Sequence, residues 1–472
     1  MKIFKKLTAL FMVVVLCMSF ISAQSYAITS AEDYQEYYKT LDNTLISLTP
    51  GKDATELNFC WHSEWSLKKP VVRMSKNQDM TNYIEFDGTY TVSENIKQRV
   101  NRVTATGLGE NTTYYYTYGV DGVFSEPCEY KTYKTDSFKF LYISDVQLNY
   151  KSPLYIRSYY WNMLLENAFA ENDDISFIVN GGDLTNNGEN TDEWVGTLSP
   201  KTLRSVPMAT VVGNHDDRGI TSTYPHYVNN PNKYKASTPK ASGNGYWFRH
   251  GDVLFVMLNS NKINIFDNKK LIDTAVEANQ DAKWRIAVMH HDVYGTERHV
   301  RESETIAARN SMCPVFDKYD FDVVLTGHDH MYGRSYLIKN NKIVDDKDYK
   351  TGTVTDPEGI LYITASSAGA STGKAEAIPE DFWWLAKMNG NGRDSYTTFE
   401  IDSNNLKMIT CDAQTNEVID TFNIVKTDTN FKTEETTGGY IGSMLKPLMG
   451  EYFIIFEMFC DLFEKVSELF VK

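Results

Sequence analysis

Cysteine is scarce in this chain, with six among 472 residues. Removal of Cys17 with an N-terminal leader leaves Cys60, Cys128, Cys313, Cys411 and Cys460, and an odd number cannot pair completely. Their wide, irregular spacing excludes a zinc ribbon and a dense disulfide scaffold. Cys60 and Cys128 share the N-terminal region and are candidates for one bridge, whereas the other three read as small buried apolar residues. Positive charge is also in deficit: 47 Lys and Arg stand against 62 Asp and Glu, a formal net charge of −15. Such a surface disfavours nucleic acid and other polyanions as partners, so any phosphate must be drawn by local cations, which bound metal ions would supply. Long apolar runs are few. One of them, Leu7 to Ile21, follows Lys2, Lys5 and Lys6 and precedes Ser25-Tyr26-Ala27, a small-x-small cleavage pattern. It is short for a membrane span, so residues 1–27 are predicted to be a secretory signal peptide rather than an anchor. The protein is then expected to be exported by a bacterium, either released or kept at the envelope. Leu16, before Cys17, is not the small residue that lipoprotein processing requires.

At this length two or three domains are expected, at roughly one per 100 to 200 residues. Residues 28–136 read as all-β. Short runs at Glu56 to Trp61, Val71 to Met74, Tyr83 to Phe86, Gln98 to Ala105 and Thr113 to Tyr118 are separated by Gly, Asn and Asp turns, which suits a small β-sandwich. Tyr114, Tyr115, Tyr116 and Tyr118 are read as strand packing rather than a carbohydrate platform. Residues 137–426 switch to strands alternating with helical segments, the pattern of an α/β or α+β sandwich with helices on its sheets. Ser152-Pro153 predicts a helix start, with a cap residue followed by proline at the first helical position. Ile156, Tyr160, Met163, Leu164 and Ala168 are its expected apolar side. Ser395 to Ile401, Leu406 to Cys411 and Val418 to Val425 read as an antiparallel finish. Residues 427–444 are polar and Gly-containing, as a linker is. Residues 445–472 place Leu445, Leu448, Tyr452, Ile455, Phe459, Leu462, Val466 and Leu469 on a heptad seam. Glu457, Asp461, Glu464, Lys465 and Glu468 argue against a transmembrane helix there. Docking on its own domain, self-association and shallow membrane-surface contact are the three uses open to it.

Against this background five apolar, strand-like runs each end in a metal-type ligand. Phe138 to Ile143 leads to Asp145, Ile175 to Val179 to Gly181-Gly182-Asp183, and Val206 to Val212 to Gly213-Asn214-His215-Asp216. Ile286 to Met289 leads to His290, and Phe321 to Leu325 to Gly327-His328-Asp329-His330. All five are expected at the C-terminal edge of one sheet, where loops converge on ligands. Two cations held a few Å apart need a bridging carboxylate, with oxygen and imidazole ligands around it and a position left open for water. Asp183 is the candidate bridge, turned outward by the glycines before it. Asp145 and His330 complete one site; Asn214, His290 and His328 complete the other. His328 and His330 are expected to point the same way from an extended segment. Of nine histidines, six fall in or beside these blocks, which chance placement in a core does not explain. His291 reads as a neighbour of the ligands rather than a ligand, Asp216 and Asp217 as loop residues, and His62, His226 and His250 as ordinary surface or core histidines.

The order Gly-Asp, Gly-Asn-His-Asp, a later His after an apolar strand, and Gly-His-x-His resembles the calcineurin-like metallophosphoesterases. Within them the chain is similar to purple acid phosphatases, which place a fibronectin III-like sandwich before the catalytic domain; the resemblance spans about residues 45–426. It implies a metallophosphoesterase sandwich of four layers flanked by helices, and two metal ions drawn from Fe, Zn or Mn. It also implies hydrolysis of small phosphomonoesters by a metal-bridging hydroxide. His215 then matches the residue that stabilises the developing charge or protonates the leaving oxygen, and His299 matches a substrate histidine, with Val300 where a second usually stands. Tyr294 and Tyr332 match family patterns and are expected to pack or line the pocket. Apart from the resemblance, Arg218 reads as a loop residue with reach to a phosphate oxygen as its alternative, and Arg334 as structural. Two departures concern the first metal site. Asn186 stands where purple members carry a tyrosinate, so a colourless protein is expected, and Gln147 stands where the broader superfamily has histidine. These leave that site one strong ligand short. A phosphodiesterase of nucleotide, lipid or cell-wall esters is one alternative reading, and a non-catalytic binding or scaffold protein is another.

Overall fold

The computed structural model describes residues 30–427, apart from 94, 149–151, 219–222, 236–241, 262–264, 345–351 and 370–371. The predicted leader, nearly all of the linker and the heptad segment lie outside the described residues. Helix α1 (Ala31–Tyr38), capped by Ser30 Oγ accepting the Asp33 N–H at 3.1 Å, belongs to a unit of its own that ends at Thr40.

From Leu41 the chain forms a second unit. Its first part is a sandwich of two antiparallel sheets. One has the order β1 (Ser47–Pro50), β2 (Leu57–Ser63), β6 (Gln98–Ala105), β5 (Thr89–Ser93). The other runs β4 (Ile84–Asp87), β3 (Pro70–Ser75), β7 (Thr113–Val120), β8 (Val123–Phe124), with β9 (Cys128–Lys131) also on β7. Phe59, Trp61, Val72, Met74, Val103 and Tyr116 fill the space between. The tyrosines pack: Tyr114 and Tyr116 are buried, and Trp61 meets the edge of Tyr118 at 5.3 Å. No bridge joins Cys60 to Cys128, and both are free thiols. Strand alternation explains this. Phe59 and Trp61 face the sandwich core, so Cys60 faces out, donating to the His226 carbonyl at 3.3 Å, while Cys128 packs against that core from the other sheet.

The second part is built on two facing sheets. The first has the order β12 (Met208–Thr210), β11 (Ile175–Asn180), β10 (Ser137–Ile143), β22 (Ser395–Asp402), β23 (Asn405–Asp412), β24 (Val418–Val425), β19 (Thr353–Thr355). The second has β13 (Gly245–His250), β14 (Val253–Leu258), β15 (Trp284–Val288), β16 (Val323–Thr326), β20 (Ile360–Thr364), β17 (Tyr332–Lys339), β18 (Lys342–Ile343), with β21 (Leu385–Asn389) on β17. Parallel neighbours covered on both faces need apolar side chains both ways, and β11, β14, β15 and β16 are buried at every position. Phe140 anchors the inter-sheet core, stacked on Phe399 at 4.7 Å and meeting Phe255 edge-on at 5.3 Å. Helices α2 (Leu154–Glu171) and α3 (Thr191–Leu198) contribute to the cluster on one outer face, and α4 (Ile265–Glu277) and α5 (Ser303–Lys318) to that on the other. The result is four layers, helix, sheet, sheet, helix.

Two sequence expectations change here. The five ligand motifs do not share one sheet: Asp145, Asp183 and Asn214 follow β10, β11 and β12, whereas His290 and His328 follow β15 and β16 of the facing sheet. Helix α2 also differs in its start and in part of its buried side. Pro153 itself occupies the cap position without a side-chain bond, and Ser152 Oγ instead accepts from Arg157 Nε at 3.0 Å. The buried side runs through Ser158, Trp161, Leu164, Leu165 and Ala168, so Leu164 and Ala168 of the expected side are buried whereas Tyr160 is exposed. Trp161 draws the helix round because its ring needs burial and its Nε1 finds the Thr197 carbonyl at 3.0 Å.

The sandwich grips the segment after the Asn214 loop. Ser47 Oγ donates to the Tyr227 carbonyl at 2.5 Å and Thr49 Oγ1 to that of Asn229 at 3.0 Å, while Asn229 Nδ2 donates back to Val103 at 3.1 Å. His62, buried, places Nε2 2.9 Å from the His226 carbonyl. Arg334 is structural as expected, paired with buried Asp420 at 2.6 Å.

Candidate metal centre

Ligand-type atoms of Asp145, Asp183 and His290 all lie within 4.8 Å of one another, although they come from two sheets. Asp183 sits on the fully buried turn after β11. Its Oδ1 accepts the His215 N–H at 2.8 Å and its Oδ2 is 3.4 Å from His290 Nε2. His290 donates Nδ1–H to the Gly181 carbonyl at 2.9 Å, which fixes the tautomer and aims Nε2 at Asp183 and at Asn214 Oδ1, 2.9 Å away. His330 Nε2 lies 3.3 Å from Asp145 Oδ1. The His328 ring is 5.0 Å from that of His290. Around the Asp145, Asp183 and His290 group, Asn214 and His328 lie beside His290, and His330 lies beside Asp145.

Backbone strain concentrates here. Asp145, Gln147, Asp183, His328 and His330 have φ of 53, 35, 51, 76 and 51°, a left-handed conformation that costs a non-glycine residue of order 1–3 kcal/mol. Cross-loop bonds hold it: Asp145 N–H to the Gly182 carbonyl at 3.0 Å, Gln147 N–H to that of Asp183 at 2.9 Å, and His328 N–H to Asp145 Oδ2 at 3.0 Å. Gly182 is required before the bridge candidate, because its φ is 101° and a Cβ there would lie 2.8 Å from His290 Nδ1. The Gly-His-x-His segment is therefore bent rather than extended. The bends, not strand alternation, send His328 toward His290 and His330 toward Asp145.

Electrostatics fit cation binding. Asp145 Oδ1 and His328 Nε2 are buried and have no hydrogen-bond partner among the described residues. Leaving such atoms unmet costs about 1–3 kcal/mol each unless a ligand meets them. Burial, then the neighbouring His290 and His291, push His328 far down, so it is neutral and able to ligate. Burial opposes the charge on Asp183, yet His290 and His215 hold its carboxyl well below the usual range. Burial likewise opposes a charge on His290, but the Asp183 carboxylate lifts it to about 10. Because a ligating imidazole must be neutral, metal uptake at pH 7 is expected to release a proton from His290. Adding Zn²⁺ or Mn²⁺ to metal-free protein in weak buffer should acidify the solution, and the acidification should shrink in His290→Asn; equal acidification in both would refute this account.

The remaining predicted residues frame the cluster. His215 Nδ1 is 2.9 Å from the Asn186 carbonyl, and Arg218 Nη2 is 3.0 Å from its Nε2. A guanidinium only donates, so His215 Nε2 presents a lone pair and Nδ1 carries the proton. Arg218 thus touches His215 instead of standing free. Asn186 takes part through its backbone, and Gln147 is buried beside Asp183. His291 accompanies the ligands, its Nδ1 2.8 Å from Ser260 Oγ. His299 stands at the partly exposed mouth with its ring 4.5 Å from that of His328, and Asp329, hydrogen-bonded to it, raises its pKa. Tyr294 and Tyr332 pack instead of lining the site: both are buried, the Tyr294 hydroxyl donating to Asn341 at 2.9 Å and that of Tyr332 to Asp420 at 2.7 Å.

Sequence reasoning missed the clamps. Asp216, read as a loop residue, is fully buried and accepts from the N–H groups of Gly213, Leu184 and Thr185 at 3.0, 3.2 and 3.0 Å and from Thr185 Oγ1 at 3.0 Å. Burial and the nearby Asp183 carboxylate push it up to about 7 against the pull of those donors. Glu193, in the first turn of α3, accepts the N–H groups of Asn186 and Asn187 at 2.8 and 2.7 Å. Asn261 Nδ2 donates to the Val212 and Gly213 carbonyls at 3.1 and 3.2 Å. One signal was available: Asn259-Ser260-Asn261 follows the apolar run Val253–Leu258, a sixth strand ending in polar residues.

Comparison with known proteins agrees with this geometry. Residues 138–332 match the calcineurin-like phosphoesterase family and residues 44–132 the purple acid phosphatase N-terminal domain. A phosphoenolpyruvate phosphatase of Allium cepa is 28% identical over 210 residues, covering 41% of this chain and 42% of that protein. A purple acid phosphatase of Ipomoea batatas is 26% identical over 298 residues, covering 60% and 61%. The chain therefore spans less than two thirds of either relative. The structure of a purple acid phosphatase from yellow lupin (Lupinus luteus) seeds superposes with a TM-score of 0.64 at 16% identity, covering 81% of this chain and 74% of that one, which shows a shared fold.

Proposed function

We propose that this chain, whose residues 138–332 match the calcineurin-like phosphoesterases and whose residues 44–132 match the purple acid phosphatase N-terminal domain, hydrolyses small phosphomonoesters with the help of two metal ions. The observation that carries this reading is the convergence of Asp145, Asp183 and His290 within 4.8 Å from two facing sheet edges. Asp145, Asp183 and His330 would hold one ion, and Asp183, Asn214, His290 and His328 the other. Bound there, ions of the Fe, Zn or Mn type would neutralise phosphoryl charge and lower the pKa of water. His299 stands where it would meet a phosphate ester entering from the mouth, and the net charge of −15 leaves the ions and such local groups to attract it. The leader sequence would place this activity outside the cytoplasm.

A phosphodiesterase is the second reading, favoured by Val300. It is buried where a second substrate histidine would stand, so the mouth offers less positive charge, which suits a singly charged diester better than a dianionic monoester. Metal analysis of the purified protein, paired with rates on mono- and bis-p-nitrophenyl phosphate under Fe, Mn, Zn or Ni loading, tests both. The expected outcome is two bound ions, no purple colour and faster monoester turnover. Faster diester turnover would select the second reading. Less than one tightly bound ion with neither ester cleaved would leave a scaffold protein.

A further inference from the structure

We propose that Asp329, the residue between the two ligand histidines of Gly327-His328-Asp329-His330, is a positioning residue that holds His299 as the proton donor to the leaving oxygen. The inference rests on the phosphoesterase reading above. Asp329 is fully buried, and its Oδ1 lies 2.7 Å from His299 Nδ1. Its Oδ2 accepts the N–H groups of Thr296 and Glu297 at 2.7 and 2.6 Å. One carboxylate therefore anchors both the imidazole and the loop that carries it. With Nδ1 held on Asp329 Oδ1, Nε2 is the ring nitrogen left to face the substrate, and the imidazolium form presents its second N–H there. Nε2 makes no hydrogen bond among the described residues. Its nearest carboxylate, Glu302, is 3.9 Å away, beyond hydrogen-bond range.

The anchor cannot move aside. Asp292, also fully buried, receives the Thr326 and Thr364 hydroxyls at 3.1 and 2.8 Å. Its Oδ2 and that of Asp329 would each lie 2.3 Å from a Cβ at position 295, so only Gly295 fits between the chain and the two carboxyl groups. Trp384 Nε1 donates to the Gly295 carbonyl at 2.9 Å and Arg309 Nη2 to that of Val300 at 3.0 Å, which close the loop around His299. The same His–carboxylate logic orients catalytic imidazoles elsewhere. His215 is not placed for this duty, because its Nε2 accepts from Arg218. In the proposed step the phosphorus–oxygen bond to the alcohol breaks as water oxygen bonds to phosphorus. The leaving oxygen takes the His299 Nε2 proton, and the proton given up by water restores His299, so the products are the alcohol and inorganic phosphate.

A good leaving group needs no proton, and a poor one does. Metal-loaded parent, Asp329→Asn, His299→Asn and the double variant are compared on p-nitrophenyl phosphate and glycerol 2-phosphate, with rates normalised to bound metal. Each single variant is expected to lose about 100-fold or more on glycerol 2-phosphate but less than about 10-fold on p-nitrophenyl phosphate, and the double variant no more than the worse single one. In metal-free protein the ring nitrogen resonances of His299 should shift in Asp329→Asn, a readout independent of turnover. Equal losses on the two esters, additive losses in the double variant, or unchanged His299 resonances would overturn the proposal. If Asp329→Asn does not fold, the ester comparison in His299→Asn decides alone. A folded, metal-loaded parent that cleaves neither ester would end the phosphoesterase reading and this one with it; uniform losses in an active parent would end this one only.

Discussion

Asparagine in place of Asp183 is expected to leave the fold intact but to cut phosphate-ester hydrolysis by more than about 100-fold, beyond what loss of an outer partner of a metal site costs. The substitution keeps one oxygen, enough to accept the His215 N–H now bound at 2.8 Å. It replaces the other, which faces His290 Nε2 at 3.4 Å, with an amide NH₂ that repels cations. If Asp183 is shared by both ion sites as proposed, both should empty together. Metal content, rather than rate alone, is the decisive measurement, and a variant with full metal content and activity within about tenfold of the parent would show that Asp183 is not the bridge.

The same substitution has a signature in the metal-free protein. Asp183 is held below its unfolded value of about 3.9. Its contribution to stability is present above that pH and lost as pH falls through the folded value. His290 is lifted to about 10, above its unfolded value of about 6.5. Its contribution is complete below 6.5 and lost as pH rises through about 10. The two windows overlap fully between about pH 4 and 6.5. There the melting temperature of the metal-free parent should exceed that of the variant most, and the gap should close toward pH 10. A gap independent of pH would mean that the pair is not ionised as argued.

Alanine at Asp216 is expected to destabilise the protein by about 3–5 kcal/mol, since each buried donor left without an acceptor costs about 1–3 kcal/mol. It would strand three buried N–H groups, those of Gly213, Leu184 and Thr185, on the two loops that carry Asn214 and Asp183. Metal affinity should fall along with stability, by about 10- to 100-fold, because these donors set the turns that present the ligands. Asparagine, keeping one acceptor oxygen, should cost less. Denaturant midpoints with unchanged slopes, together with metal titrations, measure both effects. A loss below about 1 kcal/mol in the alanine variant would place the residue among ordinary surface substitutions and remove it from the loop scaffold.

The candidate ligands were legible because each stands at a strand end and apolar runs mark strand ends locally. Asp183 after Ile175 to Val179 and His290 after Ile286 to Met289 needed only the residues around them. The clamps were not legible. Asp216, Glu193 and Asp329 look like any loop or helix-start acid, and nothing nearby in sequence says that their donors are buried. Asp329 reaches His299, 30 residues back, and Asp216 reaches Leu184 and Thr185, 32 and 31 residues back. The apolar side of α2 was only partly legible for a similar reason: Tyr160 was expected inside, but the burial of Trp161 and its bond to Thr197, 36 residues on, decided which side faces inward.

By itself, then, the sequence determined which metal-type side chains stand at strand ends and that a β-sandwich precedes an α/β unit. These are properties of local pattern, fixed by side-chain type and by the two- and 3.6-residue periods. Tertiary structure alone decided that the ligands come from two facing sheets, that His328 and His330 diverge through left-handed bends, and that buried carboxylates lock the loops and His299. Those outcomes depend on which strands pair and which loops meet, and such contacts form between residues far apart in the chain.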